Sequence, residues 1–179
     1  MSSHLMRAVL FSILVGLCIS LAAAQRDTSS ARKGAAVRSV GAFPSPDSQC
    51  RAKLTQSSLG GFLVLTLNRK ASPKVDDVTG LAWVSPHTLI YTISPIYGTT
   101  GVYACNCVTM RTKRLVAPKT FVPGYPDGAD YFELARISDG DPITVYYYYF
   151  PNVDDLDEAK LRTPDHLVRL RLKRDRLEH

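Results

Sequence analysis

The chain has 179 residues, 45% of them hydrophobic, with 22 Lys and Arg against 16 Asp and Glu for a net charge of +6. That length suits one domain with its own core. The positive charge is spread out, with modest basic clusters only at 111–114 and 169–176, and no motif marks a nucleic-acid-binding face.

Taken in chain order, residues 1–24 read as a secretory signal peptide. Arg7 precedes the 14-residue apolar run AVLFSILVGLCISL, and small residues end at Ala24. The run is shorter than the roughly 20 residues that span a bilayer. Leu17 stands before Cys18 where a lipoprotein signal wants a small residue, so cleavage after Ala24 is expected, leaving no membrane anchor. Residues 25–48 are rich in Ser, Ala, Arg and Pro without periodicity and read as a flexible lead-in. Residues 49–176 read as one β domain.

GGFLVLTLNR (60–69) suits a buried strand, and SPKVDD (72–77) a turn. LAWV and TLIYTI within 80–94 are two strands around a Ser-Pro-His turn. GVYACNCVT and RLVAP follow as strands, then FVPGYPDGAD (121–130) as a long loop. YFELARI and ITVYYYYF flank SDGDP, a hairpin signal. NVDDLDEAKLRTPD is a polar insertion with room for one helical turn. HLVRLRLKR (166–174) alternates, with Val168, Leu170 and Leu172 on one face and basic residues on the other. Leu177-Glu178-His179 resembles the start of a vector-encoded histidine tag.

Three cysteines remain beyond the signal: Cys50, Cys105 and Cys107. In an exported protein disulfides are the default use. A bridge between positions i and i+2 of a strand would strain extended backbone. The expected staple therefore joins Cys50 to Cys105 or to Cys107. It would close a loop of roughly 55 residues and contribute on the order of 4 kcal/mol. A zinc site wants four ligands, and outside the signal and the tag-like end only His87 and His166 add to the cysteines, so no metal is expected.

Catalytic material is sparse. Outside the signal and the tag-like end only His87 and His166 remain, and with no Gly-x-Ser-x-Gly they leave little for a Ser/His/Asp triad; no glycine-rich phosphate loop is present. The run Asp154, Asp155, Asp157, Glu158 lacks the glycine and spacing of a calcium loop and reads as solvated. No enzyme activity and no cofactor are expected. The aromatic run is more informative. Tyr146, Tyr148 and Phe150 share one strand face, and Tyr147 and Tyr149 the other. Loops 94–101 and 121–131 set Tyr97, Tyr125 and Tyr131 among Gly, Thr, Ser and Asp, a composition suited to recognition on a rigid scaffold.

The strand-turn-strand pattern at 80–118 returns more loosely at 130–174, with 50–70 as an incomplete copy and a period of about 45–50 residues. Through Trp83, Ser85, Pro86, Leu89, Tyr91, Val102 and Tyr103 it resembles WD40 and TolB-like propeller blades. His87-Thr88 stands where those families have Asp-Gly, and Arg111-Thr112-Lys113 where they have Thr-Gly-Lys. A closed propeller usually needs at least four blades, and about 125 structured residues hold two or three. The expected fold is all-β: a small propeller-like or two-sheet antiparallel domain with about three blade-like units.

In size, export signal and blade pattern the chain is similar to the periplasmic, propeller-like immunity proteins made against type VI secretion peptidoglycan amidases. That resemblance implies a periplasmic inhibitor that forms a stoichiometric complex with a secreted cell-wall hydrolase. A loop would enter the Cys/His cleft of the enzyme. The expected inserting loop is Ser94–Gly101, with Ser94, Tyr97, Thr99 and Thr100. Pro123–Tyr131, with Tyr125, Asp127 and Tyr131, supplies the second contact. The alternative is a ligand-binding or scaffolding module of the cell envelope.

Overall fold

The structure, a computed structural model, describes residues 36–56, 63–67, 75–94, 99–124, 128–138, 140–174 and 177. Among the described residues ten strands form three antiparallel sheets, each a meander of consecutive strands, with no closed barrel. The first sheet is β1 (Gly41–Pro44), β2 (Arg51–Gln56) and β3 (Leu63–Leu67). The second is β4 (Val78–Trp83), β5 (Thr88–Ile93), β6 (Gly101–Asn106) and β7 (Thr112–Val116). The third is β8 (Tyr131–Ser138), β9 (Ile143–Phe150) and β10 (Leu167–Leu172). The expected all-β class holds, with three antiparallel sheets of three, four and three strands.

The second sheet is the middle layer. Alternate residues of a strand face opposite ways, and here both ways lead into a core. Leu81, Leu89, Tyr91, Ile93, Tyr103 and Cys105 pack with Ala52, Leu54 and Leu67 of the first sheet. Ala82, Ile90, Val102 and Ala104 pack with Phe132, Leu134, Ile137, Val145 and Tyr147 of the third. All six residues of β5 are therefore buried, which is why TLIYTI reads as a nearly unbroken apolar run. The outer sheets keep one wet face and alternate, as β2 and β10 do.

The second and third sheets approach closely because Gly80 has no side chain. A Cβ there would lie 3.1 Å from that of Leu134. The gap is bridged by hydrogen bonds: the Leu134 N–H donates to Thr92 Oγ1 at 3.0 Å, and the Thr79 hydroxyl donates to the Phe132 carbonyl at 2.5 Å. A bulge between Leu134 and Arg136 shifts the register of β8 on β9 at this point.

Two sequence expectations need correction. Residues 36–48 fall in the predicted flexible lead-in, yet they are built into the domain. Val37 exchanges backbone hydrogen bonds with Leu81 at 2.8 and 3.0 Å, so it extends the edge of the second sheet. Gly41–Pro44 pairs with Arg51–Leu54, and the Phe43 carbonyl accepts from Trp83 Nε1 at 3.1 Å. The physical reason is tertiary: an edge that needs donors and a core that needs a lid override a low local propensity. At the other end Leu177, read as a tag remnant, is 8% exposed and belongs to the core between the second and third sheets.

The polar insertion after β9 forms a 3-10 turn at Val153–Asp155, one helical turn, α1 (Glu158–Leu161), and a second 3-10 turn at Pro164–His166. Asn152 and Asp157 cap the first two through their side chains. Its Leu161 is fully buried.

Candidate protein-binding surface

Antiparallel meanders send alternate connections to opposite ends. The β5–β6 and β7–β8 loops, the two expected to recognise a partner, emerge at the same end. Side-chain and backbone hydrogen bonds join their described ends. Thr100, with no exposed surface, points its hydroxyl at the carbonyls of Ile93 (3.0 Å) and Asp130 (2.7 Å). Asp130, equally buried, accepts from the backbone N–H groups of Lys119 (2.6 Å) and Thr120 (3.1 Å) and from the Tyr149 hydroxyl (3.0 Å). The backbone closes the same circuit: Ala129 donates to Thr120 and accepts from Val153, at 2.8 and 2.7 Å. Gly128, at φ 108°, sits so close against Pro118 that a Cβ would overlap the proline ring.

Burial first, and then the hydrogen-bonded Asp130 carboxylate, which disfavours a phenolate, together push the Tyr149 hydroxyl up to about 12. Lys119 Nζ lies 5.9 Å from the centre of the Tyr149 ring. In the β7–β8 loop Phe121 stands 64% exposed, with Lys119, Pro123 and Gly124 exposed near it in the chain, and Thr99 is exposed in the β5–β6 loop.

The expected contact residues separate into three groups. Thr99 is exposed, as recognition requires. Ser94 and Thr100 are buried, and Tyr131 is half-buried with its hydroxyl donating to Glu133 Oε2 at 3.2 Å. Thr100 therefore supports the loops from beneath rather than offering its hydroxyl to a partner. Tyr97, Tyr125 and Asp127 lie outside the described residues. The aromatic run obeys the predicted alternation: Tyr147 and Tyr149 meet Phe132 with ring centroids at 5.8 and 5.4 Å. On the opposite face Arg136 covers Tyr146 at 4.0 Å and His166 lies 5.0 Å from Phe150, so the structure partners these rings itself.

Sequence reasoning missed Glu133. Its carboxylate is 2% exposed and sits on β8 where three distant parts of the chain meet. Arg38 Nη1 and Arg162 Nε each donate to Oε1 at 2.9 Å, and Arg162 Nη2 donates to Oε2 at 3.1 Å. Arg38 also donates twice to the Leu134 carbonyl, at 3.1 and 2.8 Å. Two guanidiniums and the Tyr131 hydroxyl thus clamp one buried carboxylate and tie the N-terminal segment and the insertion to the third sheet.

The opposite end carries the cysteines. Cys50 is bonded to Cys107, Cα atoms 6.3 Å apart, which settles the staple left open between Cys105 and Cys107. Cys105 is a free, buried thiol whose pKa burial pushes up. His87 lies beside the bridge. Its backbone carbonyl accepts from Cys107 N at 2.8 Å, while its Nδ1 is buried without a hydrogen-bond partner. Cys50, His87 and Cys107 hold their ligand atoms within 4.8 Å of one another, and they are the one such group among the described residues. Among its described side chains the acidic run forms no group of this kind: Asp154 and Asp155 are exposed, and the Asp157 pKa is lowered by its bond to Lys160. No protein-family model, curated protein or solved structure matches the chain.

Proposed function

We propose that the protein is an exported inhibitor of the immunity type. It binds a secreted peptidoglycan hydrolase of the amidase class and covers its active site with the β5–β6 and β7–β8 loops. One observation carries this reading: the ends of two loops are joined through buried Thr100 and Asp130, and the second of these loops exposes Phe121 to 64%. Loop ends held by buried hydrogen bonds leave less ordering to be done on binding, so more of the contact energy appears as affinity. An exposed aromatic with exposed Lys119 and Gly124 near it in the chain has the composition of a binding hot spot. The protein acts by occupying space and contributes no catalytic group of its own. Its place in the periplasm follows from the signal-like residues 1–24.

The experiment is an affinity capture. The protein, immobilised without residues 1–24, is exposed to envelope and secreted extract from its source and washed at high salt. A single hydrolase retained one-to-one, with its activity abolished, supports the proposal. Phe121→Ala and Thr99→Ala should then each weaken that complex at least tenfold with unchanged melting temperature. Capture of no hydrolase overturns the inhibitor reading and leaves the envelope ligand-binding module.

A further inference from the structure

The end of the domain away from the recognition loops holds a second chemistry. We propose that Cys50, Cys107 and His87 form a soft-metal site, for Zn(II) or an ion of similar preference, that opens when the disulfide is reduced, so that a bound ion replaces the covalent staple.

Three observations carry it. First, the two sulfurs and a ring nitrogen already lie within 4.8 Å of one another. A tetrahedral zinc site with bonds of about 2.0–2.3 Å sets its ligand atoms roughly 3.5–3.8 Å apart. Once the S–S bond is open, small side-chain rotations suffice. Second, His87 Nδ1 is buried without a hydrogen-bond partner. A buried imidazole nitrogen left unpaired costs stability unless something takes its lone pair or proton. Third, the cluster sits on fixed backbone. The Ser85 hydroxyl accepts from His87 N and Thr88 N at 3.3 and 3.0 Å, His87 O accepts from Cys107 N, and Ser45 Oγ accepts from Cys50 N at 3.0 Å. Thiolate and imidazole together select soft or borderline ions over magnesium or calcium.

The chemistry balances as follows. A dithiol of the thioredoxin type gives up two electrons and becomes a disulfide. The Cys50–Cys107 bond breaks, and each sulfur takes a proton. The divalent ion then forms two metal–sulfur bonds and releases those two protons, while the neutral His87 ring supplies the third bond from its lone pair. The fourth position falls to water. Cys105 takes no part, because it is buried in the core between the first and second sheets.

The test uses the full chain reduced with a phosphine, which leaves no competing thiol, and titrated with Co(II) as a spectroscopic stand-in before displacement by Zn(II). Absorption and far-UV circular dichroism are recorded together. A thiolate-to-cobalt charge-transfer band saturating one-to-one is expected, unchanged in Cys105→Ser and requiring at least tenfold more metal in His87→Ala. If reduction unfolds the chain, the expected result is metal-driven recovery of the β spectrum in the parent but not in His87→Ala. The oxidised His87→Ala protein serves as the folding control. Absence of the band, its loss in Cys105→Ser, or equal affinity in His87→Ala overturns the proposal. Each of these readings is independent of whether the loop end binds a hydrolase.

Discussion

Replacing Glu133 by Gln tests whether the buried carboxylate organises the third sheet. Glu133 accepts four hydrogen bonds, two at each oxygen: Arg38 Nη1 and Arg162 Nε at Oε1, Arg162 Nη2 and the Tyr131 hydroxyl at Oε2. A carboxylate has about four lone-pair sites, so it is saturated. Glutamine keeps one acceptor oxygen and turns an NH2 group toward donors, losing two bonds and the charge. Breaking a buried ion pair costs about 3–5 kcal/mol when both partners are buried. Here only the carboxylate is, because the Arg38 and Arg162 side chains are 32% and 61% exposed and stay partly hydrated. The expected loss is therefore about 2–3 kcal/mol, nearer the cost of bonds to a charged group. For a domain of this size that lowers the melting temperature by roughly 5–10 °C. Arg162→Gln should cost clearly less, since Arg38 still neutralises the carboxylate. Thermal unfolding of the three proteins decides it. A shift under about 1 °C for Glu133→Gln, or an equal shift for Arg162→Gln, would refute the reasoning.

Three further outcomes are expected. Cys50→Ser opens a 57-residue loop and should cost about 4 kcal/mol in urea unfolding, whereas Cys105→Ser should cost little; similar losses in both would contradict the observed pairing. Thr100→Val keeps the shape but removes the hydroxyl facing the Ile93 and Asp130 carbonyls. It should cost about 1–3 kcal/mol and weaken partner binding although the residue is buried. Tyr149 titrates near 12 when folded against an ordinary value of 10.0. The unfolded chain loses this proton first, so the contribution to stability is complete below pH 10 and falls as pH rises toward about 12. Tyr149→Phe should flatten the decline in urea midpoint across that window, and an unchanged slope would show that Tyr149 does not govern it.

The strands that were legible are those whose pattern is enforced locally. β10 alternates basic and apolar residues, and its Val168, Leu170 and Leu172 do turn to the core. β4 and β5 stand out through apolar runs split by Ser-Pro-His. β1 did not stand out, because Gly41–Pro44 carries a glycine, a proline and one aromatic. Its pairing depends on what surrounds it: a turn in which Ser45 and Asp47 satisfy each other and the backbone, and a disulfide that anchors the next residue, Cys50. Arg38 was equally opaque, since its acceptors Glu133 and Leu134 lie about a hundred residues away. Nothing at positions 36–38 announces a carboxylate that distant.

The candidate site was half legible, and the period-two rule explains which half. Thr99 and Thr100 are adjacent hydroxyl residues in one loop, and composition treats them alike. Strand parity does not. Val102 and Ala104 face the third sheet, so carrying the alternation of β6 back by one step turns Thr100 to that same buried side and leaves Thr99 out of it. The same step applied to β8, whose Phe132 and Leu134 face the second sheet, carries Asp130 inward. Both residues are completely buried, and they meet through a 2.7 Å hydrogen bond from the Thr100 hydroxyl to the Asp130 carbonyl. The coupling of the two loops is thus the inward parity of two neighbouring sheets continued past the last ladder bond. A polar residue at such a position is buried because the sheets are not yet far enough apart to admit water. It must then find its partner on the facing sheet, and that joins the ends of the two surface loops.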